Sequence, residues 1–105
     1  MAEIFKSALI NLDTVGNHEV HAATDPEVVL SLILSNNHEG TVPVSVWVTR
    51  NGEDFFFRRD IRIDSGDSLD VLRGTKVALL AGDTLNVSNP IQGAVSGFLS
   101  TYKDE

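Results

Sequence analysis

Few residues in this chain have the type and spacing to do chemistry. His18 and His21 flank Glu19, and two imidazoles beside a carboxylate are one way to hold a transition metal. A metal wants three or four such ligands, and no second motif supplies the rest, so the plain reading is a solvated loop. Asp64, Asp67, Asp70 and Asp83 offer oxygens that would suit calcium. Their spacing is not that of a twelve-residue loop with acids at alternate positions, and turn aspartates are accounted for by bonds to their own backbone. With no cysteine, the chain has no disulfide, thiolate metal site or Cys nucleophile. No Gly-x-Ser-x-Gly elbow, phosphate-binding Gly loop or paired His and Ser is visible. The expectation is a protein without catalytic activity, cofactor or metal.

Binding chemistry is better represented. Arg58, Arg59 and Arg62 form the basic cluster, with Asp60 between them. They read either as an ion-pair ladder across strands or as a contact patch for an acidic partner. Trp47 and Phe56 fall on the parity opposite the core of their hairpin, which in a sandwich points outward. Exposed aromatics of this size mark protein or sugar contacts. The competing reading is that the segment Ile4–Leu12 covers them within the same subunit. Phe5, Trp47, Phe56, Arg58 and Arg62 are therefore the candidate protein-interface residues.

Composition narrows the partners. The chain has 105 residues and a net charge of −7, from 15 acids and 8 bases. That balance repels phosphates and argues against a nucleic-acid surface. No apolar run approaches the ~18 residues of a membrane span. Met1 to Leu12 contains Glu3 and Lys6 and lacks a continuous apolar stretch, so it does not read as a signal peptide. The length suits a single domain over residues 1–105, with 1–12 as an N-terminal arm or edge strand.

The elements that would position these residues read as strands. Ile4–Leu12 is a first strand or extended arm, and its removal is expected to leave a folded core. Asp13 to Pro26 reads as a loop with a short strand at Glu19–Ala23. Val28–Leu34 is apolar on nearly both faces and predicts a strand central to a sheet. Thr41 to Arg50 alternates, with Val42, Val44, Val46 and Val48 on one face. Asn51-Gly52 between alternating runs is a strong hairpin signal, and the return strand is Asp54 to Ile63. Arg59 interrupts its apolar parity, as a bulge or a rim position would. Asp64-Ser65-Gly66-Asp67 is a turn, and Leu69, Val71 and Leu72 open the next extended segment. Thr75–Leu80 and Thr84–Ser88 flank the tight turn Ala81-Gly82-Asp83 and read as a pair. Ala94 to Tyr102 is the last strand. The whole predicts an all-β fold: one antiparallel β-sandwich of seven to eight strands on a jelly-roll or Greek-key path.

From Val28 to Tyr102 the pattern resembles small β-sandwich virion proteins of tailed bacteriophages. The resemblance rests on Val28–Asn36 followed by Val42–Thr49, on Asp67-Ser68-Leu69-Asp70-Val71-Leu72, and on Lys76 to Val87 with its Leu-Ala-Gly-Asp-Thr-Leu turn. It implies a capsid decoration or cement protein, or a small neck or tail protein. The implied partners are the major capsid protein or other virion subunits, and further copies of the chain in a homo-oligomer. The implied location is the virion, assembled in the host cytoplasm. A carbohydrate-binding or adhesin module using Trp47 and Phe56 is the alternative from another class.

Overall fold

The computed structural model describes residues 3–12, 14–73, 76–91 and 95–104, with residues 3–5 and 104 described by their backbone. Nine strands and no helix are found among these residues: β1 (Glu3–Leu12), β2 (Gly16–Ala22), β3 (Glu27–Asn36), β4 (Val42–Arg50), β5 (Glu53–Ile63), β6 (Ser68–Asp70), β7 (Val77–Leu79), β8 (Thr84–Asn89) and β9 (Val95–Asp104). They form two antiparallel sheets. One has the order β1-β9-β3-β6, with β7 also on β3; the other has the order β2-β8-β4-β5.

This order is a jelly roll. β6 pairs with Ile33–Ser35 and β7 with Glu27–Val29, so the two short strands are halves of one interrupted edge. Counted that way there are four strands per sheet, and the chain crosses between sheets as two Greek keys do. The interruption has a physical cause. Val71 and Leu72 turn inward and are fully buried, and Arg73 follows with a positive φ of 51°. The ninth strand beyond the expected seven or eight comes from this break and from β2. Gly16–Ala22 is a full edge strand on β8, where the sequence suggested mostly loop.

The core lies between the sheets. Val42, Val44, Val46 and Val48 of β4 face Val29, Leu32 and Leu34 of β3 and Leu99 of β9 across the sandwich, and all belong to one buried cluster. β3 is central, as its two-sided apolar run predicts, with β9 on one side and β6 and β7 on the other. Two buried asparagines close strand ends. Asn36 donates to the carbonyls of Gly40 and Ile63 and accepts from the His38 N–H. Asn89 donates to the Leu12 carbonyl. Buried amides need such partners, because an unpaired one costs more than the bond returns.

Two expectations are corrected here. β1 is an edge strand paired with β9 over ten residues, and it sends Ile10 and Leu12 into the core. Its removal would expose that core and not leave it intact. The Ala81-Gly82-Asp83 turn does not join a hairpin: β7 belongs to one sheet and β8 to the other, so the turn is a corner between layers. The corner is held by backbone bonds from Gly82 N–H to the Ala23 carbonyl and from Ala23 N–H to the Asp83 carbonyl.

Candidate functional site

The outer face of β4 and β5 gathers most of the candidate residues, and local strand chemistry explains how. Asn51 and Gly52 have φ of 53° and 79°, the positive pair that a type I′ turn requires. The turn sets Trp47 directly opposite Phe56. Beyond it, β5 carries extra residues relative to β4, with register shifts on both sides of Val46. This is the bulge that the misplaced Arg59 signals. Its strained position is Asp60, with φ of 49°, whose N–H donates to the Ser45 hydroxyl. Aspartate tolerates this conformation better than most residues do.

The bulge turns Arg59 back over the aromatics. Its guanidinium carbon lies 4.2 Å from the centre of the Phe56 ring, a cation–π contact. Phe56 in turn packs on Trp47, with ring centres 5.0 Å apart and planes inclined at 32°. Asn17, Ser45, Asp54, Arg59, Asp60 and Ser88 surround the two rings and leave an open depression of about 280 Å³. Thr49 donates its hydroxyl proton to Asp54 at 2.7 Å on the same strand pair.

Trp47 is not an exposed ring. It is 5% exposed, whereas Phe56 is 39% and its neighbour Phe55 54% exposed. The covering comes from the adjacent strands, where Phe56 and Asn86 stand opposite Trp47 on its two sides. It does not come from the N-terminal segment, which lies in the other sheet. Trp47 is thus the floor of the patch and Phe56 its accessible surface. The Phe5 side chain lies outside the described residues; its backbone pairs with Tyr102.

The arginines are placed but not paired with acids. Arg58, expected on the outward parity, stands opposite core-facing Val46 because of the bulge; it is half-buried and donates to the Phe57 carbonyl, while its buried Nε has no hydrogen-bond partner among the described residues. Arg62 is exposed, on the same edge strand. No ion pair joins Arg58, Arg59 or Arg62 to a carboxylate among the described residues, so the ion-pair ladder is absent there. Arg59 is the patch residue that sequence reasoning undervalued: the broken parity pointed to a bulge or rim position but not to the contact with Phe56.

The other candidates are spread apart. His18 bonds the Thr14 carbonyl, and His21 meets Glu27 at 2.6 Å. Among the described residues no three His, Cys, Asp or Glu side chains come together as a metal would need. Asp70 accepts the Leu72 N–H, and Asp83 accepts the Leu80 N–H, the local bonding expected of turn aspartates. Asp83 does more. It is 2% exposed and takes three bonds from Arg50 at 2.6 to 3.1 Å. Hydrogen bonds from Arg50 hold its carboxyl below the ordinary carboxylate range, against the opposing effect of burial.

No protein-family model and no curated protein sequence matches the chain. Solved structures do. A subunit of Bacillus endospore appendages, described as disulfide-linked pili, is 16% identical with a TM-score of 0.59, over 95% of this chain and 85% of that one. The Drosophila NLP core, described in connection with pentamer formation and histone binding, is 9% identical with a TM-score of 0.51, over 95% and 98%. A pentameric capsid protein from metagenomic phage sequences is more distant, at 16% identity and a TM-score of 0.44, over 88% and 60%. At these identities the likeness establishes the fold, an all-β sandwich of two antiparallel sheets.

Proposed function

We propose that this chain is a non-catalytic structural subunit that docks through the outer face of β4 and β5. The specific role we assign is a capsid decoration or cement protein of a tailed phage, held on the particle in many copies. A small neck or tail accessory protein would use the same surface. One observation carries the docking reading. On a chain of net charge −7, Arg59 and Arg62 stand with Phe56 on this edge strand without acidic partners among the described residues, and Arg58 and Phe55 flank them opposite core-facing Val46 and Val48. Arginine and aromatic side chains are the residues that interfaces favour, and guanidinium groups left unpaired suit an acidic surface. The virion reading adds the resemblance over Val28–Tyr102. The pilus and pentamer described for the two nearer structural neighbours also fit a subunit that works in multiple copies. This chain has no cysteine, so its own contacts would not be disulfide-linked.

The sugar-binding alternative is less well served by the geometry. Trp47 is covered, and the Phe56 ring is already shared between Trp47 and Arg59. The test is co-sedimentation of the full chain with assembled particles of the cognate phage. Saturable binding that Arg59→Glu and Arg62→Glu each weaken, without change in the β-type circular dichroism, supports the proposal. Binding indifferent to both substitutions, or absent altogether, removes it. Saturable glycan binding that depends on Phe56 would favour the adhesin instead.

A further inference from the structure

The opposite face of the molecule carries a feature that the fold does not require. Leu9, Phe98 and Ile33 stand directly opposite one another on β1, β9 and β3. They are 85%, 40% and 37% exposed. Side chains at opposed positions share a face, so the three make one apolar stripe across the sheet. On each side of the stripe the same strands present small neutral groups. Ser7, Ser100 and Ser31 form one row, and Asn11, Ser96 and Ser35 form the other. The first charge along the stripe is Asp70, opposite Ile33 on the edge strand β6, and its carboxylate already accepts the Leu72 N–H.

We propose that this face binds a second copy of the chain, sheet against sheet across a twofold axis. Charge selects a copy over another partner. With a net charge of −7, two copies meeting through most of their surface would set like charges together. The stripe and the two rows beside it avoid that, since none of their residues is charged. Its groups are also complementary to themselves. Hydroxyls and amides both donate and accept, so serine and asparagine rows can pair with identical rows. The apolar stripe matches itself, whereas a face of carboxylates or of guanidinium groups would need a partner of opposite sign.

Size sets the strength. The stripe and its two rows cover five residues on each of three strands, which at about 3.3 Å per residue and about 4.8 Å between strands is roughly 240 Å². That is below the roughly 800 Å² per partner of a standard interface. The pairing is therefore weak in solution and gains weight where many copies are held on one assembly. It involves the sheet opposite the arginine surface, and it stands or falls separately from whatever that surface docks on.

Sedimentation equilibrium of the full chain, from micromolar to millimolar, tests the pairing. A concentration-dependent dimer is expected, weakened by about tenfold or more in Leu9→Asp, which would place a charge in the contact. Phe56→Asp, on the other sheet, leaves the dimer constant unchanged. Because the chain lacks cysteine, Ser100→Cys supplies a second readout: it forms disulfide-linked dimers on oxidation much faster than Arg62→Cys. A chain monomeric at every concentration overturns the proposal. So does a dimer weakened by Phe56→Asp but not by Leu9→Asp, or equal cross-linking at the two cysteines.

Discussion

Asp83 shows how much one carboxylate can carry in a small sandwich. It sits at the corner where the chain passes from β7 to β8, buried, with Arg50 of β4 closing over it and the Leu80 N–H bonded beneath. Hydrogen bonds from Arg50 are the main cause that lowers its carboxyl from the ordinary value, burial works the other way, and the Leu80 N–H and the charge of Arg50 add to the lowering. A carboxyl lowered in the folded state stabilises the fold fully above its unfolded value of about 3.9, and that stability is lost as pH falls through the folded value. Acid unfolding followed by circular dichroism is therefore expected to start at higher pH in Arg50→Gln than in the parent. Asp83→Ala is expected to cost about 2 kcal/mol at neutral pH in urea denaturation, because the Leu80 N–H loses its buried acceptor. The same variant should flatten the pH dependence below about pH 4, where the missing carboxyl would have titrated. Trp47 offers a second measurement at this scale, since it is the sole tryptophan. Its cover is Phe56, so Phe56→Ala is expected to shift the emission to the red and to raise quenching by acrylamide. Arg59→Ala should change the emission less, because Phe56, on which Arg59 stacks, stays in place over the indole.

Strands report themselves in sequence when their signals are local, and fall silent when the partner decides. The Asn51-Gly52 hairpin, the valine ladder of β4 and the two-sided apolar β3 were all legible, because turn chemistry and side-chain period act within a few residues. The corner at Ala81-Gly82-Asp83 was not. Its Gly-Asp signal specifies a tight turn but not whether the next strand stays in the same sheet, and here the partner strands β3 and β4 lie in different layers. The site was half legible for the same reason. Trp47, Phe56, Arg58 and Arg62 could be placed on the outward parity, with Arg59 off it. The burial of Trp47 and the stacking of Arg59 depend on two extra residues in β5 whose effect is three-dimensional. That bulge also twists a long edge strand carrying Phe55 and Phe56, one of the ways sandwiches discourage edge-to-edge aggregation. The β3–β9 pair supplies the sharpest test of an element. Gly97 sits where a Cβ would come within 2.4 Å of the Ile33 carbonyl oxygen and 2.8 Å of a Leu34 methyl. Backbone cannot yield as a flexible side chain can, so Gly97→Ala must push the two central strands apart. A loss of about 2 to 3 kcal/mol in urea denaturation is expected, in the range of overpacked cores.

The molecule as a whole is two-faced, and the faces obey different physics. The β4 and β5 side is arginine and aromatic, the β1, β9 and β3 side neutral with an apolar stripe, and the chain around them is acidic. Attachment through guanidinium groups to an acidic surface draws on Coulomb attraction, which salt screens over a Debye length of roughly 10 Å at 0.1 M. Self-association of an acidic chain works against Coulomb repulsion, which salt also screens, and apolar contact is strengthened by salts excluded from protein surfaces, such as sulfate. The two contacts should therefore respond to ionic strength with opposite sign. Raising sodium sulfate is expected to weaken co-sedimentation with the particle and to strengthen the dimer seen by sedimentation equilibrium. Arg62→Glu should remove part of the first dependence and leave the second in place, while Leu9→Asp should weaken the dimer at every salt concentration and leave the first dependence unchanged. If both contacts weaken together with salt, charge drives both, and the neutral face is not where the copies meet.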